Sequence, residues 1–199
     1  MSQPRKDIRS KILQQRSALS AREMAEHSQH ACTRIANSEI WHSSQDIAFY
    51  IAQKGEMNPN RLLQLAMQQN KTCYLPALAG SKHNELVMVR YHSNDPLPLN
   101  RYGIPEPEQD PAKIIDPTQL DLVLVPLVAY DLSGSRLGMG LGYYDRTFAF
   151  LNQSKKPHHP LLIGLAYTFQ HQDHLPRADW DVPLDWIATE SSLIDVNKI

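Results

Sequence analysis

Leu120-Asp121-Leu122-Val123-Leu124-Val125-Pro126-Leu127-Val128 is an almost unbroken apolar run. That is the pattern of a strand covered on both faces by other layers. Directly after it comes Asp131-Leu-Ser-Gly-Ser-Arg-Leu-Gly-Met-Gly-Leu-Gly-Tyr-Tyr-Asp-Arg146, which places four of the chain's eight glycines within nine residues. Glycine costs backbone entropy, so such a cluster needs a local reason. One reason is a flexible strand–helix connection. The other is a run of backbone N–H groups, without flanking Cβ atoms, that can close around an oxyanion such as phosphate. Arg136 and Arg146 bracket the segment with positive charge, and Asp145 adds a carboxylate suited to magnesium.

Outward from this run, strands and helices alternate. The first 37 residues read as two helices: Ile8, Ile12, Leu13 and Leu19 recur at roughly helical spacing, and Lys6, Arg9, Lys11 and Arg16 take the remaining faces. Ser20-Ala-Arg-Glu23 is a capping-box pattern that starts the second helix. Asp46 to Ala52 reads as a buried strand, Gln53 to Met57 as a loop, and Asn58-Pro59 as an N-cap with proline at the first position of a helix reaching Gln69. Further strands are expected at Lys71–Pro76, Leu86–Tyr91, Pro160–Ala166 and Trp186–Thr189, and a helix from Tyr143 to Leu151. Residues 93–117 are rich in Pro, Asn and Asp without periodicity, which marks a long excursion that packs over a site. The pattern predicts an α/β fold: a single three-layer α/β/α domain over residues 1–199 with a mostly parallel sheet. In such sheets ligands bind beyond the carboxyl ends of strands, where the loops 53–57 and 131–142 would meet.

Bulk composition narrows the function. At 199 residues the chain can build one sizeable core, and a formal net charge of −1 removes any bulk attraction to nucleic acid or anionic lipid. An anionic ligand must then be held by local arginines and lysines, which favours small molecules over polymers. Cys32 and Cys73 match no metal spacing and suggest no disulfide framework, as in a reducing cytoplasm. No signal peptide and no apolar stretch of about 20 residues is visible, so no membrane is expected. His158-His159 and His171-x-x-His174 lack a third ligand at a recognised spacing and read as surface histidines.

The glycine-rich segment is neither a P-loop nor a dinucleotide fingerprint, since Gly-x4-Gly-Lys-Ser/Thr is absent and Gly138, Gly140 and Gly142 form only Gly-x-Gly-x-Gly. As a whole string, however, Pro126 to Asp145 resembles the signature of the 5-formyltetrahydrofolate cyclo-ligase family. The resemblance extends to the basic stretch Arg5-Lys6-Asp7-Ile8-Arg9 and on to Arg16, to Phe49-Tyr50-Ile51-Ala52-Gln53-Lys54-Gly55-Glu56, and to Trp180-Asp181-Val182-Pro183-Leu184-Asp185.

The resemblance implies a fold like that of sugar-phosphate isomerases and CoA-transferases. It implies ATP- and Mg²⁺-dependent closure of 5-formyltetrahydrofolate to 5,10-methenyltetrahydrofolate, with release of ADP and phosphate, by a monomer acting on small molecules. Carried over residue by residue, Arg5, Lys6, Asp7, Ile8 and Arg9 would bind ATP together with Gly134, Arg136, Leu137, Gly138, Met139, Gly140, Leu141, Gly142 and Tyr143. Arg136 and Asp145 would serve catalysis, and Asp145 and Asp185 the metal, with Asp181 competing for the second position. Glu56 would accept N–H groups of the pterin, with Ile51, Met139 and Tyr143 as its apolar wall.

Three positions depart from the family pattern: Leu141 stands where glycine or lysine is common, Leu127 where glycine is common, and Asn58 where threonine is common. Taken without the resemblance, Arg5 to Arg9 would be a solvated helix face, Asp145 a first-turn acid and Glu56 a surface acid. The alternatives to a cyclo-ligase are an ATP-independent phosphosugar isomerase and a non-catalytic nucleotide- or folate-binding protein.

Overall fold

Strand order, more than strand number, shapes this molecule. A computed structural model describes residues 3–80, 85–153 and 160–198, so the His158-His159 pair lies outside the described residues. One eight-stranded sheet contains β1 (Asp46–Ala48), β2 (Thr72–Leu78), β3 (Leu86–Arg90), β4 (Ile114–Ile115), β5 (Leu122–Pro126), β8 (Leu161–Leu165), β9 (Trp186–Ala188) and β10 (Leu193–Asp195). Its order is β10-β9-β8-β5-β1-β2-β3-β4. The five central strands, β9 to β2 in that order, pair in parallel, whereas β10, β3 and β4 join antiparallel. The mostly parallel sheet expected from the alternating pattern is therefore present. A separate antiparallel hairpin joins β6 (Ala129–Tyr130) to β7 (Arg136–Leu137).

Burial on both faces follows from side-chain alternation along each strand. Ile47, Cys73, Leu75, Leu122, Leu124, Ile163 and Ala188 point to one face. There they pack against Ala31, Cys32 and Ile35 of α2 (Ala21–Ala36), Trp41 of α3 (Glu39–Ser43), and Leu62 and Ala66 of α4 (Asn60–Gln68). Their neighbours Ala48, Tyr74, Val123, Val125, Leu162 and Ile187 point the other way, onto Phe148, Leu151, Val182 and Leu184. That second layer is thin: α5 (Tyr143–Thr147), a short 3₁₀ turn at Ala149–Asn152, and extended chain. The helix expected over 143–151 is broken at Phe148, whose backbone leaves helical geometry as its ring enters the core.

At the N-terminus α1 (Gln3–Ser17) is followed by the expected capping box. Ser20 accepts from the Glu23 N–H, and Glu23 returns a carboxylate to the Ser20 N–H, so two otherwise unpaired donors at the helix start are satisfied. Helix α4 starts later than predicted. Pro59 is its N-cap, and Asn58 Oδ1 accepts from the Asn60 N–H at 3.0 Å, closing the turn before it. Periodicity did not reveal α3, β4 or β10, which are five residues or fewer. Among the described residues no helix is long and apolar enough to cross a membrane.

Leu127, one of the departures from the family pattern, is buried beneath the glycine-rich segment against Gly164 of β8. A methyl group on Gly164 would lie 2.6 Å from Leu127 Cδ2 and 2.5 Å from Leu184 Cδ1. Gly164→Ala should therefore cost about 1–3 kcal/mol by overpacking. Combined with Leu127→Ala, it should cost less than the sum of the single changes by about 1 kcal/mol. Urea unfolding of the four proteins checks this, and simple additivity would refute the packing account.

Candidate active site

From β1 the chain crosses through α4 to β2 on one side; β5 lies on the other side of β1, followed outward by β8 and β9. The order reverses between β1 and β5, and their continuations, Tyr50-Ile51 and Pro126-Leu127-Val128, diverge into a cleft of about 1050 Å³. This is where an open α/β sheet binds ligands, because the two connections leave on opposite faces and cover neither strand end.

One wall is the glycine-rich segment, which the structure divides in two. Residues 131–135 close the β6–β7 hairpin. Asp131 Oδ1 accepts from the N–H groups of Ser133 and Ser135 and from the Ser133 hydroxyl, and Oδ2 accepts from the Leu175 N–H at 2.8 Å. Burial disfavours the Asp131 charge, but these donors together hold its carboxyl below the usual range. Gly134 has φ +81°, and a Cβ there would meet Leu184 O at 2.6 Å. Its carbonyl accepts from the Leu184 N–H. Gly134 thus serves the turn and, unlike the glycines after it, is not among the residues that line the cleft. Leu137, Gly138, Met139, Gly140, Leu141, Gly142 and Tyr143 do line it, with Met139 and Leu141 exposed.

Arg136 and Asp145 face each other across this wall. Arg136 Nη2 donates to Asp145 Oδ1 at 2.7 Å and Nη1 donates to Val182 O; Asp145 Oδ1 also accepts from the Val182 N–H. Burial lowers the Arg136 pKa, and Asp145 opposes that shift. Asp145 Oδ2 makes no hydrogen bond to a described residue.

Helix geometry sorts the N-terminal stretch. Arg5, Arg9 and Arg16 lie at i, i+4 and i+11 on α1 and all reach the cleft, whereas Lys6, Asp7 and Ile8 do not. Ile8 instead packs against Ala129, Leu137 and Leu175, and Lys6 and Asp7 are exposed. Of the five contiguous residues expected to bind ATP, the structure brings only Arg5 and Arg9 to the cleft, since a helix presents only every third or fourth residue to one side. Arg5 Nη2 donates to Asp181 Oδ2 at 2.8 Å and to Pro176 O, and Arg9 Nε donates to Gly138 O at 2.7 Å. Arg9 thus braces the glycine segment and Arg5 the chain at Pro176 and Asp181, and both bring charge to the cleft.

Asp185, expected on the metal side, sits elsewhere. Its buried carboxylate accepts from the Leu162 N–H at 2.9 Å at the start of β8 and lies away from the cleft, whereas Asp181 and Asp179 line it. Among the described residues no three His, Cys, Asp or Glu side chains cluster as a metal site. His171 packs its ring 5.5 Å from that of Tyr130.

Opposite the glycine segment stand Ile51 and Glu56. Glu56 Oε2 accepts from the Gln53 N–H at 2.9 Å, and Oε1 lies 3.8 Å from Arg16 Nη2. Burial raises the Glu56 pKa, while the Gln53 N–H, Arg16 and Lys54 pull it back. Tyr50, which is buried, and Tyr144, which is half-buried, stand beside it, and burial followed by the Glu56 charge pushes both phenols up. Both therefore stay protonated donors at neutral pH.

The third wall comes from the 93–117 excursion, which packs over the site as its composition suggested. Tyr102 and Arg101 reach the Tyr143 hydroxyl at 3.1 and 2.9 Å, and Asn100, Ile104 and Glu106 line the cleft beneath. Sequence reasoning missed Arg16, Tyr50, Tyr102, Tyr144 and Trp180; for Arg16, its register with Arg5 and Arg9 was the available signal.

A family model described as the 5-formyltetrahydrofolate cyclo-ligase family matches residues 1–190. The 5-formyltetrahydrofolate cyclo-ligase of Haemophilus influenzae is 36% identical over 183 residues, covering 92% of this chain and 96% of that one. That of Escherichia coli K12 is 32% identical over 182 residues, covering 92% and 98%. The solved structure of Aquifex aeolicus 5,10-methenyltetrahydrofolate synthetase superposes with a TM-score of 0.81 at 33% identity, covering 96% of this chain and 92% of that one. A synthetase of the same name from Mycoplasma pneumoniae gives 0.71 at 26% identity, covering 94% and 98%. The matched residues include all three walls of the cleft, and the chain belongs to the 5-formyltetrahydrofolate cyclo-ligase family.

Proposed function

We propose that this protein uses ATP to close 5-formyltetrahydrofolate to 5,10-methenyltetrahydrofolate, releasing ADP and phosphate. The observation that carries the proposal is the cleft at the β1–β5 reversal. It sets a glycine segment and the Arg136–Asp145 pair against the half-buried acid Glu56. One side suits a polyphosphate and the other a flat heterocycle with N–H donors along one edge.

A formyl oxygen is a poor leaving group. Transfer of the γ-phosphoryl group to it converts it into phosphate ester, with ADP departing. The folate N10 then attacks the formyl carbon; the N10–C bond forms, the C–O bond breaks, and phosphate leaves with the oxygen and the N10 proton. Such chemistry asks the protein for positioning and charge stabilisation more than for covalent participation. Residues 138–142 would lie along the phosphates, with Arg5, Arg9 and Arg136 supplying positive charge. Glu56 would receive the pterin N–H edge, and Ile51, Met139 and Tyr143 would wall its ring.

The donor set fits magnesium, which needs only one or two carboxylates and otherwise keeps waters and phosphate oxygens. Asp145 would hold it through Oδ2, and the ion would neutralise charge on the transferring phosphoryl group.

Purified protein with Mg-ATP and 5-formyltetrahydrofolate should develop the near-ultraviolet absorbance of a methenyl folate while ADP accumulates; ATP binding without that absorbance would overturn the proposal. Asp145→Asn should lower kcat by about 10²-fold or more and be partly restored by excess Mg²⁺. Full activity at limiting Mg²⁺ would remove Asp145 from the metal. Glu56→Gln should raise KM for the folate by about tenfold, equivalent to roughly 1.4 kcal/mol, and leave KM for ATP unchanged. Equal changes in both constants would contradict its place on the folate side.

A further inference from the structure

Arg16 is buried like an apolar core residue, at 1% exposure, yet its guanidinium is only partly used. Nη2 donates to Lys54 O at 2.9 Å and Gln53 O at 3.1 Å, while Nε and Nη1 have no partner among the described residues. Buried donors without acceptors cost stability, so a purely structural clamp would not leave two of them open. The turn that Arg16 holds is also conformationally unusual. Lys54 has φ +48°, a left-handed value that a side chain adopts at a cost, and Gly55 follows at +73°. That turn ends on Glu56, whose Oε1 stands 3.8 Å from Arg16 Nη2.

We propose that Arg16 is the positioning residue for Glu56: by clasping the Gln53 and Lys54 carbonyls and facing the carboxylate, it keeps Glu56 ionised and aimed into the cleft. The proposal rests on the folate assignment above. A carboxylate can accept two N–H groups from a ligand only while ionised, since its protonated form gives up acceptor capacity to become a donor. The groups that face Glu56 are few. Arg16 comes from α1, Lys54 from its own loop, Tyr50 from the end of β1, Tyr144 from α5 and Tyr167 from the segment after β8. Arg61 of α4 borders the shallow groove behind it. Of these, only Arg16 is a fully buried cation. Tyr167, whose buried hydroxyl is likewise unpartnered among the described residues, is neutral and adds no positive charge.

Burial already disfavours the Glu56 charge, so removing Arg16 must push its titration further up. The carboxylate would then be protonated over more of the acidic range and recover as pH rises. In Arg16→Met, the ratio of the variant's folate KM to that of the unmodified protein should be largest at the acidic end of the accessible pH range and fall as pH rises. Taking the ratio cancels titration of the substrate itself. KM for ATP should not change, and Arg16→Lys, which restores the charge, should flatten the profile. A ratio that is constant with pH, or a parallel rise in KM for ATP, would reduce Arg16 to a structural clamp and overturn the proposal. Should Arg16→Met not fold, Arg16→Lys and Arg16→Gln carry the same comparison, with the pH-dependent ratio expected only in Arg16→Gln.

A second readout needs no activity. The ¹³C-carboxyl resonance of Glu56, assigned by its loss in Glu56→Gln, should titrate at higher pH in the charge-removing variant than in the unmodified protein. Identical titrations would overturn the proposal. Unmodified protein that makes no methenyl product would instead refute the folate assignment, while the resonance still decides whether Arg16 governs Glu56.

Discussion

The cleft of this molecule depends on the reversal of strand order between β1 and β5. Parallel strands need long crossovers, and crossovers that run outward in opposite directions cover opposite faces of the sheet. The carboxyl ends of β1 and β5 are left between them with nothing on top. Two loops that are far apart in sequence, 53–57 and 138–142, therefore stand across one opening, and the backbone that frames it is anchored in the best-packed part of the sheet. The extra hairpin β6–β7 and the 93–117 excursion add walls to that opening without altering its position.

Electrostatics around the cleft follows a consistent pattern of restraint. Arg5, Arg9, Arg16, Arg136 and Arg146 all reach the opening, and each is already engaged with a protein carboxylate or carbonyl. A chain with a net charge of −1 can thereby concentrate cations locally without a field that would gather polyanions at large. The carbonyl contacts also tie α1 to the glycine segment and to the turn before Glu56. The same helix face thus supports both halves of the site, which is why basic residues spread over α1 matter where a contiguous basic patch would not.

Much of this was legible in the chain itself. The apolar run at Leu122–Pro126 and its shorter companions, broken by helical spacing, carry the α/β class, because strands buried on both faces have no reason to alternate in polarity. The capping box at Ser20–Glu23 appears as its residues require. Short elements such as α3, β4 and β10 were not legible, since three to five residues cannot display a period and owe their shape to the neighbours they pair with.

The sequence alone determined the fold class and marked the glycine-rich segment, with Arg136 and Asp145, as a candidate site, because residue type and local spacing are properties of the chain; Glu56 stood out only through the family resemblance. Only the tertiary structure decided which members of each motif face the ligand cleft. It turned Lys6, Asp7 and Ile8 away from it, assigned Gly134 to a hairpin turn, and committed Asp185 to the start of β8. It also brought Arg16 forty residues along the chain to stand beside Glu56. The physical reason is that burial, pairing and approach distance are relations between distant segments, and no local pattern encodes which face of a helix or turn the rest of the molecule will cover.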